Sequence, residues 1–131
     1  MKSDESTATN LIQLTQRLLE SIAAGDWATY SALCDPTLSA IEPESFGQVV
    51  EGMAFHRFYF DLGKTEGPHN TTICSPHVRV LGDVGIVSYV RLVQRLDADG
   101  SPVVRRSEET RVWHKGPGGW KHVHFHRSVG P

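Results

Sequence analysis

Ser107-Glu-Glu-Thr-Arg-Val-Trp-His114 and Trp120-Lys-His-Val-His-Phe-His-Arg127, joined by Lys115-Gly-Pro-Gly-Gly119, decide the fold. Two runs of β-forming residues around a glycine-rich connector predict an antiparallel hairpin. Alternation puts Glu109, Arg111 and Trp113 on one face of the first strand, and Val123, Phe125 and Arg127 on one face of the second. The opposite faces carry Val112 and the row Trp120, His122, His124, His126.

Working outward, Val84–Leu96 reads as a third strand, on which Arg91 shares a face with Val87, Tyr89 and Val93. Three arginines therefore fall on faces otherwise occupied by apolar side chains, and His56 lies in a separate, helical segment. That composition predicts an anion pocket built from His56, Arg91, Arg111 and Arg127. Two guanidiniums about 6 Å apart at an effective dielectric near 20 repel by roughly 3 kcal/mol, so such a pocket needs carboxylates between them. Glu109 can supply one from within, and a bound small acid another.

Residues 1–7 are expected to be disordered and 8–130 to form the domain. Leu11, Leu14, Leu18 and Ile22 recur at helical spacing up to Gly25. Asp26 caps a second helix, Trp27 to Cys34, which the turn signal Asp35-Pro36 closes. Leu38–Glu42 and Gln48–Glu51 read as short strands. Gly52–Leu62 reads as a helix with Phe55, Phe58, Tyr59 and Leu62 as its buried stripe. After a polar loop come a strand from Thr71 to Leu81, interrupted near Pro76, and then the three strands already described, giving a four-stranded meander. Helices segregated from a long antiparallel sheet define an α+β cone.

At 131 residues the chain suits one domain. Its formal net charge of −2, with scattered Lys and Arg, offers no basic stripe for a nucleic-acid backbone. No apolar stretch approaches the roughly 20 residues that span a membrane. Cys34 and Cys74 have no disulfide-framework spacing and the first residues lack a signal-peptide core, so a cytoplasmic home is expected. Alternating histidines at 122, 124 and 126 point the same way, as metal ligands on a strand would, but His114 and His69 give no convincing further ligand. A packed or subunit-facing row, with no metal or cofactor, is expected instead. Trp113 and Trp120 suit core or interface positions.

Several stretches carry a resemblance. Val50-Glu-Gly-Met-Ala-Phe-His-Arg-Phe-Tyr-Phe60, Thr71-Thr-Ile-Cys-Ser-Pro-His77, Ser107-Glu-Glu-Thr-Arg-Val-Trp-His114 and His124-Phe-His-Arg-Ser128 closely resemble the association (hub) domain of calcium/calmodulin-dependent protein kinase II. The likeness implies the fold of nuclear transport factor 2, in which a curved sheet wraps a long helix. It also implies self-association into a ring of twelve or more subunits, a kinase that binds calmodulin in cis or trans, and a cavity for small carboxylates. Matched by position, the family's cavity residues are His56, Arg91, Arg111 and Arg127. The segment Asp61–Pro68 departs from the animal pattern by lacking a tryptophan. No kinase motif is present: Phe60-Asp-Leu-Gly63 is not the metal-binding Asp-Phe-Gly.

The rival reading is a small enzyme of the ketosteroid-isomerase type, built on the same cone, with His56 as base and Tyr30 or Tyr89 as donor. Three arginines favour holding a preformed anion over generating a transient one, so catalysis is not expected.

Overall fold

The computed structural model describes residues 4–130. Its first element, helix α1 (Asp4–Ala24), buries Leu11, Thr15, Leu18 and Leu19. The helix starts earlier than expected, so residues 4–7 are helical rather than disordered. Residues 1–3 of that segment lie outside the described residues. Gly25 ends α1 at φ +66°, a conformation only glycine adopts freely, while the Asp26 amide donates back to the Ser21 carbonyl at 2.9 Å. Asp26 then caps α2 (Trp27–Leu33), its carboxylate accepting from the Thr29 amide at 3.1 Å.

The Asp35-Pro36 signal does not separate helix from strand as expected. Strand β1 (Cys34–Ile41) already begins at Cys34, and the Asp35 carboxylate accepts from the Thr37 amide at 2.9 Å. The turn is absorbed as a bulge, across which the pairing jumps from Cys34–His122 to Ser39–His124. A single 3-10 turn (Pro43–Ser45), β2 (Val50–Glu51) and α3 (Ala54–Phe60) follow. Then come β3 (His69–Leu81), β4 (Val84–Leu96), β5 (Pro102–Gly116) and β6 (Gly119–Ser128).

The strands form one curved, open sheet in the order β2-β1-β6-β5-β4-β3. Strands β3 to β6 run as the expected antiparallel meander, and β3 shifts register between Cys74 and His77, where Pro76 lies. The pairing of β1 with β6 is parallel. Helix α1 packs on the inner face, where Leu11, Leu18, Leu38, Val87 and Trp113 are fully buried. Each such leucine contributes about 1.5–3 kcal/mol by leaving water. The helix comes so close to the sheet that a Cβ at Gly85 would meet Leu11 Cδ1 at 2.3 Å. Trp113 is core, and its indole N–H donates to the Thr15 hydroxyl at 3.1 Å.

Helix α3 is turned differently from the sequence reading. Its buried side chain is His56, and Met53 and Phe60 pack beside it against the core. Phe58, Tyr59 and Leu62, expected to be buried, are 60%, 41% and 71% exposed. Residues 53, 56 and 60 share one helical face and 55, 58, 59 and 62 another. The more hydrophobic face is the outer one.

Candidate functional site: an arginine–carboxylate cavity

Period-two alternation and the sheet register bring the predicted residues together. Tyr89 pairs with Glu109, Arg91 with Ser107, and Glu109 with Arg127 across β4, β5 and β6, all facing inward. With His56 from α3 they surround a cavity of about 240 Å³, lined by His56, Arg91, Arg111 and Arg127 together with Tyr30, Glu42, Glu44 and Phe125.

Arg111 is the floor, 1% exposed. Its Nε donates to the Tyr89 hydroxyl at 2.9 Å, its Nη2 to Glu109 Oε1 at 2.9 Å, and its guanidinium carbon lies 4.4 Å from the centre of the Phe125 ring. Glu109 stands between two arginines, with Arg91 Nη1 3.1 Å from its other oxygen, and it also accepts from Tyr89 and Ser107. Burial pushes the Glu109 carboxyl up, but Arg111 and Arg91 outweigh it and hold the group at about 2. Glu109 is thus the internal carboxylate that the repulsion argument required.

Sequence reasoning missed the second half of the site. Glu42 and Glu44, on either side of Pro43, both reach Arg127: Nη2 lies 3.5 Å from Glu42 Oε1 and pairs closely with Glu44. The signal was a pair of acidic residues flanking a proline directly after a strand, which reads as turn chemistry and nothing more. Burial, with Glu44 nearby, raises the Glu42 carboxyl above its ordinary range. His56 Nδ1 approaches Glu42 Oε2 at 3.5 Å, yet burial and Arg111 hold the imidazole at about 4, so the ring is neutral near pH 7. Among the described residues, three buried side-chain polar atoms make no hydrogen bond within the protein: Glu42 Oε2, His56 Nε2 and Arg91 Nε. All three belong to residues that line the cavity.

The histidine row does not hold together. A bulge between Val112 and Trp113 pairs Trp113 with His122 and Val112 with His124, so His122 turns into the core while His124 and His126 stay on the outer face. His122 stacks on Phe125 at 5.6 Å and packs against Trp113 at 5.3 Å, and its Nε2 lies 3.4 Å from Arg111. Val123, expected on the inner face, is the residue the bulge displaces. Among the described residues no group of three His, Cys, Asp or Glu side chains is arranged to hold a metal.

A long helix cradled by a curved sheet, with a polar cavity between them, defines a domain of the nuclear transport factor 2 type. An NTF2-like protein from Salmonella enterica superposes with a TM-score of 0.79 at 24% identity, covering 98% of this chain and 94% of that one, a likeness of fold alone. Residues 7–131 match the model of the calcium/calmodulin dependent protein kinase II association domain, and the chain belongs to that family. It is the association domain and not the kinase domain. It is 49% identical over 124 residues to the rabbit (Oryctolagus cuniculus) calcium/calmodulin-dependent protein kinase type II subunit delta, covering 92% of this chain and 23% of that subunit. The chain thus spans about a quarter of its relative's length. The association domain of C. elegans CaMKII superposes with a TM-score of 0.90 at 42% identity, covering 95% of this chain and 97% of that one.

Proposed function

We propose that the chain is a self-association hub that builds a ring-shaped homo-oligomer of twelve or more copies in the cytoplasm and gathers a kinase in cis or in trans. The carrying observation is the family match over residues 7–131. The outward aromatic face of α3, with Phe58 and Tyr59 exposed and Leu62 exposed just beyond the helix, supports assembly, because exposed apolar surface of this kind marks contact sites. Among the described residues no helix is long and apolar enough to cross a membrane. Native mass spectrometry at micromolar concentration is expected to show a particle far larger than two chains. A species no larger than a dimer would refute the hub.

The cavity, on this reading, binds a small carboxylate. Arg91 and Arg127 are the donors a ligand can reach, since Arg91 Nε makes no hydrogen bond among the described residues and the Arg127 side chain, although paired with Glu42 and Glu44, is 17% exposed. Arg111 is already committed to Tyr89 and Glu109 and acts as support. Replacing Arg127 with alanine should weaken butanoate binding by about 1–3 kcal/mol, the worth of a charge-assisted hydrogen bond. An unchanged calorimetric affinity would remove the pocket from the account.

A further inference from the structure

A second cavity, of about 560 Å³, adjoins the first and shares Arg91 and Arg127 with it; Val93, Arg105, Arg106 and Ser107 are among its other walls. The register pairs Val93 with Arg105 and Arg91 with Ser107, so Arg105 is the next residue outward on the β5 face that carries Ser107, Glu109 and Arg111. The inner cavity is electrically balanced, since Glu109 serves Arg91 and Arg111, and Glu42 and Glu44 serve Arg127. The outer one is not. Arg106 lies 3.9 Å from Glu108, whereas Arg105, among the described residues, has no carboxylate within ion-pair reach. Among the described residues, the cation without a carboxylate partner therefore lines the outer cavity, with the Arg91 Nε donor buried and unused in the wall between the two spaces. Valines 93, 104 and 129 supply apolar surface around it.

We propose that the cavity's ligand is a short dicarboxylate, with one carboxylate held by Arg91 and Arg127 and the second by Arg105. This rests on the carboxylate-binding reading and names its ligand class. Two residues along a strand span about 6.6 Å. An α,ω-diacid of five or six carbons separates its acidic groups by a comparable distance and lays its methylenes on the valines.

The test is titration calorimetry on the assembled protein with pentanoate against pentanedioate and hexanoate against hexanedioate, repeated with Arg105→Gln. The diacid of each pair is expected to bind about three- to fivefold tighter, the worth of one exposed charge pair, with the advantage shrinking as salt is raised. In Arg105→Gln that advantage should vanish, the diacid of each pair binding no tighter than its monoacid. Diacids no tighter than monoacids, or an advantage that survives Arg105→Gln, would overturn the assignment while leaving the inner pocket standing. Failure of all four acids to bind would instead sink the carboxylate reading itself.

Discussion

At the scale of single residues, the three arginines are not equivalent. Arg111 is buried and bonded to Tyr89 and Glu109, so Arg111→Ala leaves Glu109 with one fewer cation in a buried site. Breaking a buried pair on one side costs about 3–5 kcal/mol, and urea unfolding should show a loss of that order. His56 gives a pH signature of definite sign. Its ordinary value of 6.5 falls to about 4 in the fold, so between those values the unfolded chain holds a proton that the folded chain refuses. Stability should be full above about pH 7 and decline as pH falls from 6.5 towards 4, by up to roughly 3 kcal/mol from this group. His122, also held neutral, acts in the same direction, and the raised carboxyl of Glu42 partly offsets both. Denaturant midpoints for His56→Gln should show a shallower decline over that interval. Below it Glu109 takes over, its contribution being lost from 4.5 down through about 2. The three arginines were legible because arginine on an apolar strand face is costly enough to demand a reason, and they line one cavity together with His56. Glu42 and Glu44 were not, since acids beside a proline in a turn are ordinary in water and only the return of β6 brings Arg127 to them.

At the scale of elements, period-two alternation located the meander, and helical spacing located α1 and the existence of α3. What alternation cannot see is an inserted residue. The bulge in β6 changes the strand's parity between His122 and His124, which is why His122 lies on the inner face while His124 and His126 keep the outer face assigned to them. The orientation of α3 failed for a different reason: the chain offers two faces, and hydrophobicity ranks first the one left outside. The closeness of α1 to β4 yields an element-scale prediction. Gly85→Ala must displace Leu11 by more than an ångström, and overpacking of that kind costs about 1–3 kcal/mol in thermal or urea unfolding. A smaller partner should relieve it: Gly85→Ala combined with Leu11→Val should cost less than the two single losses added together.

At the scale of the whole molecule, the sheet is two pieces joined late. Strand β6 lies between β1 and β5, and the contact between Cys34 and His122 spans 88 residues of chain. Neither the β3–β5 meander nor the β1–β2 pair closes the cavity alone, because Arg127 and Phe125 both come from β6. On a ribosome the amino-terminal half must therefore wait with an open strand edge until Gly119–Ser128 has emerged. A nascent chain stalled before Gly119 would expose two unsatisfied edges at once and be a natural substrate for chaperones, whereas one stalled after Ser128 would have its seam already sewn.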